Sequence, residues 1–474
     1  MNPMERRASG SLAAIYGLRM LGLFIILPIF AIYAQSLPGG QSHFLIGIAL
    51  GAYGLTQSVL QIPMGMLSDR FGRKPVILVG LIIFAIGSFV AASADNIYMI
   101  ILGRVIQGAG AINAAVMALT ADLTREEHRT KAMATIGMTI GITFSISLVL
   151  SPILYHWIGV PGIFALTGVL SLLGLFVVGF VVPKPAISRF HSDTEASLSK
   201  VGGVLRNSDL LRLDFGIMAL HAILTASFVA LPLALRDAVG LDSQHQWYLY
   251  LPVLVVSVFA MVPFIIMAEK RRKMKSVFLG AILALAGSEL ALMEWHTNLV
   301  GIAVELTVFF TAFTLMEATL PSLISKVAPP DSKGTAMGVY SSSQFLGIFI
   351  GGTVGGWIYG QHGLHGVFAF TGVVALVWFL IAASMKSPRF LNSYLLNVGT
   401  ISEKEASQMA VRLTQVRGVA EAVVVAEDGI AYLKVDAGSL DEAALHAFSA
   451  EQEYDDPEPA GSGAVSHPSP GRSV

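Results

Sequence analysis

The sequence predicts an all-α membrane protein of twelve transmembrane helices in two six-helix halves, followed by a small α+β domain. Three observations predict it. Hydrophobic residues make up 54% of the 474 positions and charged residues only 13%, with a mean hydropathy of +0.70. A soluble domain carries about 25% charged residues, so this chain could not cover its surface with polar groups in water. Its apolar stretches are long enough to cross a bilayer, which takes about 20 residues of helix. Two local patterns also recur about 200 residues apart, in the same order. Asp69-Arg70-Phe71-Gly72-Arg73-Lys74 matches Glu269-Lys270-Arg271-Arg272-Lys273, and Arg129-Thr130-Lys131-Ala132-Met133 matches Lys333-Gly334-Thr335-Ala336-Met337.

The spans are placed at 12–36, 43–67, 76–94, 97–121, 131–155, 161–183, 212–235, 246–268, 276–295, 297–325, 334–360 and 364–385. Each must be helical, because backbone groups in lipid need partners within their own segment. The first apolar stretch follows Arg6 and Arg7, runs from Leu12 to Leu37 and lacks a small-residue cleavage site, so it reads as a retained span. Glycines such as Gly103, Gly108 and Gly110 let neighbouring helices approach closely.

Lysine and arginine set the orientation. Arg6, Arg7, Arg70, Arg73, Lys74, Arg125, Arg129 and Lys131 fall on one side, as do Lys184, Arg189, Lys200, Arg206, Arg212, the run Lys270 to Lys275, Lys326, Lys333, Lys386 and Arg389. The opposite loops offer only Arg236. Both termini are therefore expected in the cytoplasm.

The polar segment from Lys184 to Leu210 divides the halves. The expected organisation is an N-terminal half over 1–185, a linker over 186–210, a C-terminal half over 211–388, a small domain over 392–450 and a disordered acidic, proline-rich tail over 451–474. In the small domain, Tyr394 to Val398 reads as a strand. Ser402 to Val416 reads as a helix capped by Ser402, with Glu405 three residues on. Val419 to Ala426 and Ile430 to Val435 read as strands joined at Glu427-Asp428-Gly429, and Leu440 to Phe448 as a second helix. This βαββα order predicts a ferredoxin-like domain.

Three motifs carry mechanism. Gly65-Met66-Leu67-Ser68-Asp69-Arg70-Phe71-Gly72-Arg73-Lys74 lies between spans 2 and 3. It resembles the signature G-x-L-x-D-R-x-G-R-[KR] of the major facilitator superfamily at every defined position. Leu102-Gly103-Arg104-Val105-Ile106-Gln107-Gly108-Ala109-Gly110-Ala111 in span 4 resembles the same family's R-x-x-Q-G-x-G-A element. A charge inside an apolar helix is costly and reads as a functional site. The third motif departs from its pattern: span 5 has Gly137, Gly141, Ser147 and Ser151-Pro152, where antiporters of the family end in Gly-Pro.

The resemblance covers about residues 1–450. It is to the drug:proton antiporter type, in the subgroup with a C-terminal ferredoxin-like domain, and it implies the twelve-span facilitator fold in a bacterial inner membrane. It implies that Asp69 faces the positive N-terminal end of span 11, near Gly334. Arg73 and Asp122 would complete a charge cluster that holds the cytoplasmic side shut in the outward-facing state, with Gly65, which permits close helix approach, Arg70 and Gly72 as further gating candidates. It also implies that Arg104 tunes a nearby protonatable group. Candidates for a central substrate cavity are Arg19, Tyr53, Gln57, Gln61, Asn113, His221, Glu317 and Gln344, with Glu289 and Glu305 as further intramembrane candidates. Gln57 and Gln61 share a helix face. Asp214 reads as interfacial.

The function expected is secondary active transport of a small molecule by alternating access, as proton-coupled efflux. The same fold supports proton symport and uniport, and a membrane sensor with the C-terminal domain as output is a further alternative. The expected partners are the lipid bilayer, a small-molecule substrate and protons, with the chain working as a monomer. No cofactor is expected, the proton gradient being the driving force. The net charge of −1 gives no bulk attraction to nucleic acid. With no cysteine, thiolate metal sites and cysteine nucleophiles are excluded. No phosphate-cradling loop and no catalytic constellation is visible.

Overall fold

The computed structural model describes residues 1–183, 198–269, 271, 273–329, 332–385, 392–399, 401–426, 429–436 and 438–449. Much of the predicted linker, Lys270 and Arg272, Lys386 and Arg389, the Glu427-Asp428 turn and the acidic tail lie outside the described residues.

Ten helical stretches are long and apolar enough to cross a membrane. Two of them are 51 residues long, and each is broken by a glycine with positive φ: Gly159 (φ 65°) and Gly363 (φ 62°). Side chains rarely adopt that backbone conformation, so glycine makes the tight return. Each long stretch therefore holds two spans, giving twelve among the described residues. Spans 1 to 4 are Pro3–Ala34, His43–Phe71, Arg73–Ala92 and Ile97–Asp122. Spans 5 and 6 are 126–158 and 160–181. Spans 7 to 10 are Ser208–Ala238, Ser243–Ala268, Met274–Trp295 and Leu299–Val327, and spans 11 and 12 are 333–362 and 364–383. An even number of crossings returns the chain to its starting side. The N-terminus, the C-terminal domain and the basic loops therefore share one end, here called the basic end.

Several starts lie ahead of the hydropathy boundary, and side-chain caps explain those of spans 1 and 7. Span 1 begins at Pro3 because Asn2 and Glu5 form a capping box: the Glu5 amide donates to Asn2 Oδ1 (2.8 Å) and the Asn2 amide to Glu5 Oε2 (2.7 Å). Span 7 begins at Ser208 because Asn207 Oδ1 accepts from the Asp209 and Leu210 amides. A short helix, Leu198–Val204, also stands within the stretch read as linker.

The halves meet along spans 2 and 11. A Cβ built on Gly47 would lie 2.0 Å from Gly352 O, one on Gly54 2.5 Å from Phe345 O, and one on Gly356 2.4 Å from His43 O. The other flank of span 11 packs equally closely on span 7, where a Cβ on Gly347 or Gly351 would lie 2.2 Å from Met218 O or Ala222 O. Small residues four apart thus give span 11 two close-packed faces. The cross-half contacts fall between the middle of span 2 and the end opposite the basic one. At that end Arg236 Nη2 also donates to Gln35 Oε1 (2.8 Å), and the rings of His43 and Tyr359 lie 4.5 Å apart. The bundle is sealed there.

The small domain has the expected order. Strands β1 (Asn392–Asn397), β2 (Val419–Val425) and β3 (Ile430–Val435) form an antiparallel sheet in the order β1-β3-β2, with helices Glu403–Leu413 and Glu442–His446. Ser402 and Glu405 form the predicted capping box. Ala431, Leu433 and Val435 join Leu396, Leu413 and Leu445 in the domain core. The alternate residues of β3, namely Ile430, Tyr432 and Lys434, are buried as well. A strand with one face on its own core buries the other only against something else. Here Lys434 Nζ donates to Lys326 O (2.5 Å) at the C-terminal end of span 10, where the helix dipole favours a cation.

Candidate functional site

The turn between spans 2 and 3 is built as its composition requires. Gly72 has φ 92°, a value that favours glycine, and Gly65 brings span 2 against Ala114 of span 4 at 3.0 Å from its built Cβ. Arg73 is buried. It donates to Ser68 Oγ (2.9 Å), pairs with Asp69, and places Nε 3.4 Å from Asp122 Oδ2. Arg70 is exposed and lies over the Phe71 ring (5.5 Å). Asp69, Arg73 and Asp122 are therefore brought together, within the N-terminal half. Among the described residues no bond from Asp69 reaches span 11, and its side chain stays 32% exposed. The expected cross-half contact belongs to the outward-facing state, whereas here the halves are sealed at the opposite end.

A second cluster fills the core of the N-terminal half. Span 4 is interrupted between Ala109 and Asn113. The break releases carbonyls from the helical ladder, and Gly110 O accepts from the Arg19 guanidinium. Arg19 also donates to Tyr53 Oη (2.8 Å) and Gln57 Oε1 (2.9 Å), and Gln57 donates to Gln61 (2.8 Å), its partner one turn on. Arg104 lies over the Tyr53 ring (5.0 Å) and donates to Gln107 Oε1 (3.1 Å), with the Ala49 and Leu50 carbonyls at 3.4 Å. Among the described residues the hydrogen-bond partners of Arg104 are thus neutral groups. The expectation that it tunes an adjacent protonatable side chain finds no carboxyl against it among the described residues, because span 2 presents backbone carbonyls and an aromatic face there. Gln107, within the same element, was not singled out from the sequence; it carries the network on to Ser88 Oγ (2.8 Å).

The C-terminal half contributes an ionisable cluster. Gln344 Nε2 lies 2.9 Å from His221 Nε2, and Glu317 Oε1 lies 3.6 Å from the same nitrogen, within ion-pair reach but beyond hydrogen-bond length. The Tyr53 ring, whose hydroxyl accepts from Arg19, lies 6.2 Å from that of Phe345, the neighbour of Gln344, so the two clusters approach each other where the halves meet. On the side away from the basic end this region is closed by rings. Phe144 of span 5 stacks on Phe313 (5.4 Å) and meets Phe24 (5.0 Å) and Phe310 (6.0 Å). Glu317 lies one helical turn past Phe313 toward the basic end, and its side chain is 27% exposed.

Further polar residues are buried. Asp214, less than two turns from the basic end of span 7, is 5% exposed. Both Asp214 carboxyl oxygens, the Tyr340 hydroxyl and both side-chain polar atoms of Asn113 are buried without a hydrogen-bond partner. Such groups are costly in one conformation and available to a ligand or to the alternate one. Tyr340 carried no sequence signal, since a tyrosine in an apolar helix looks like core. Glu289 does not join the cavity cluster; it is held between spans 7, 9 and 12 by Ser227 and Thr371. In span 5, Gly137 and Gly141 face open space, while Ser147 and Ser151 are buried.

Comparison with known proteins agrees with this architecture. The family model of the major facilitator superfamily matches residues 12–352 and 215–395. The chain is 46% identical over 437 residues to the inner membrane transport protein YajR of Escherichia coli, covering 92% of this chain and 95% of the relative. It is 24% identical over 345 residues to the multidrug resistance protein MdtH of Aeromonas salmonicida, covering 71% and 82%. Two solved structures share the fold. A bacterial homologue of the human lysosomal transporter Spinster, inward-facing and occupied, aligns with a TM-score of 0.64 at 14% identity, covering 81% of this chain and 97% of that one. The human organic anion transporter TETRAN aligns with a TM-score of 0.61 at 19% identity, covering 80% and 100%. Twelve spans in two repeated halves, the intact signature turn and these matches together make this chain a member of the major facilitator superfamily, a multi-pass membrane transporter and not an enzyme.

Proposed function

We propose that this transporter exports a small molecule from the cytoplasm in exchange for protons, by alternating access across a bacterial inner membrane, with its basic end cytoplasmic. It works as a monomer and needs no cofactor besides the proton gradient. The observation that carries the reading is the Glu317–His221–Gln344 cluster beside the seam between the halves, which the Arg19–Tyr53 network approaches at Phe345.

A carboxyl group at membrane depth is stable either when neutralised by a proton or when paired with a cation. A cationic group of a substrate and a proton then compete for Glu317, and competition for one site is the basis of exchange. With the aromatic rings closing the far side, Glu317 is reached from the basic end, where substrate is taken up. The alternate state requires the spans 2 and 11 contact to part and the basic end to close, and Asp69 then gains the N-terminus of span 11 as a partner. The likeness to a multidrug resistance protein supports efflux of amphiphilic compounds.

The test uses proteoliposomes with an imposed pH gradient and ethidium as the probe cation. The wild type drives ethidium against the gradient and releases protons on ethidium binding. Glu317→Gln, which keeps the shape but cannot ionise, loses gradient-driven flux and proton release. A wild type without gradient-dependent flux, proton uptake on ethidium binding, or full coupling in the Glu317→Gln variant overturns the reading.

A further inference from the structure

Glu289 is fully buried in span 9, and the mechanism proposed above does not use it. Its Oε1 lies 2.8 Å from Ser227 Oγ on span 7, and its Oε2 lies 2.6 Å from Thr371 Oγ1 on span 12. Spans 7 and 12 present hydroxyls to it, and no lysine, arginine or histidine pairs with it among the described residues. An ionised carboxylate in such a place would be an uncompensated charge in a dry site, which proteins avoid by holding the group neutral.

The hydrogen count at Thr371 points the same way. Ser227 Oγ also lies 2.8 Å from Ile223 O, and Thr371 Oγ1 lies 3.0 Å from both Val367 O and Phe368 O. The hydroxyls are therefore shared between Glu289 and their own helical turns. A hydroxyl has a single hydrogen to give, and an ionised carboxylate and a backbone carbonyl have none. With Glu289 ionised, both hydroxyls would hold one acceptor by a hydrogen and face another acceptor at contact distance without one. A proton on Oε2, donated to Thr371 Oγ1, frees the Thr371 hydrogen for its own turn, while Ser227 keeps one hydrogen between Oε1 and Ile223 O.

The repeated half offers a comparison. Gly87-Ser88 of span 3 corresponds to Gly287-Ser288 of span 9, and Phe164-Ala165-Leu166-Thr167-Gly168 of span 6 to Phe368-Ala369-Phe370-Thr371-Gly372 of span 12. Thr167 donates to Phe164 O in its own turn (2.8 Å), the bond that a neutral Glu289 allows Thr371 to make. In the N-terminal half the position of Glu289 is held by Phe89, and the joint between spans 3 and 6 is a contact of two neutral hydroxyls, Thr167 Oγ1 and Ser88 Oγ (3.4 Å). The Leu290–Gly372 contact beside Glu289, 2.6 Å from a built Cβ, shows how closely spans 9 and 12 pack there.

We propose that Glu289 is a second proton-binding carboxyl of this chain, one that keeps its proton throughout the transport cycle and pins spans 7, 9 and 12 into one rigid body. It differs from Glu317, whose proton is exchanged. The test is infrared spectroscopy of the full-length protein in lipid nanodiscs, comparing wild type, Glu289→Gln and Glu317→Gln from mildly acid to mildly alkaline buffer. The expected result is a protonated-carboxyl C=O band that persists across the range, is lost in Glu289→Gln and is retained in Glu317→Gln. Glu289→Gln, which preserves a donor and an acceptor, transports ethidium at the wild-type rate with unchanged pH dependence, whereas Glu289→Leu lowers the melting temperature. The proposal is overturned if Glu289→Gln leaves the protonated-carboxyl absorption intact, if the band it removes titrates within that range, or if Glu289→Gln loses proton coupling.

Discussion

Gly47→Ala adds one methyl group at the tightest recorded point between the halves. The built Cβ lies 2.0 Å from Gly352 O. Ordinary carbon contacts lie at about 3.5 Å, so the two backbones must separate by roughly 1 Å or more. The neighbours cannot absorb this. Gly352 meets Gly47 O at 2.5 Å from its own built Cβ, and the far flank of span 11 is held against span 7 at Gly351. Overpacking of this kind costs about 1–3 kcal/mol. The contact exists only in the state sealed at that end, so the cost falls on one conformation and shifts the balance between the two states by about 5- to 150-fold. The chain has no cysteine, so paired labels can be introduced at single engineered cysteines without background. Electron spin resonance distances across the sealed end, with one label near Gln35 and one near Arg236, should lengthen in Gly47→Ala. Gly280→Ala is the control, since nothing lies within 4 Å of its built Cβ. An unchanged distance distribution in Gly47→Ala, or an equal change in the control, refutes the reasoning.

Two further outcomes are expected. Arg104→Lys keeps the charge but loses the planar fork that spans Gln107, two backbone carbonyls and the Tyr53 face; it should lose about 1.5–3 kcal/mol of stability, and a melting temperature equal to wild type would count against that geometry. Lys434 is held below the ordinary lysine value of 10.5, chiefly by burial, with Lys333 adding to the effect and Glu421 opposing it. The undocked lysine then binds its proton more tightly than the docked one, so docking of the C-terminal domain is weakest below the lowered value and strengthens as pH rises toward 10.5. Distances between labels on helix Glu442–His446 and on span 10 should report this, and Lys434→Met should remove the dependence; a docked fraction that falls with rising pH would sink the account.

The signature turn shows why some of the site was legible. Gly65, Ser68, Asp69, Gly72 and Arg73 lie within nine consecutive positions, and their contacts run within one turn or to the adjacent helix. Local spacing is visible in a sequence. The Arg19 site is different: its partners Tyr53, Gln57 and Gly110 come from spans 2 and 4, up to 91 residues away. An intramembrane arginine announces that it needs partners without saying which they are. Glu289 and Glu317 looked alike as acidic residues in apolar helices, and packing separated them. One lies beside His221 near the seam between the halves, and the other is enclosed by two hydroxyls inside a half.

Composition, charge asymmetry and the repeat near 200 residues determined the number of spans, their grouping and the βαββα order of the last domain. These follow from short-range rules, namely what a bilayer requires of a backbone and how a helix or strand patterns its side chains. Only the tertiary structure decided which end of the bundle is sealed, that Arg104 faces neutral groups, that the outer face of β3 rests on the end of span 10, and which buried acid lies beside His221. Those outcomes depend on which helix faces are pressed together across long stretches of chain. In lipid that choice rests on close packing and specific polar partners, because apolar surface alone does not discriminate between one helix neighbour and another.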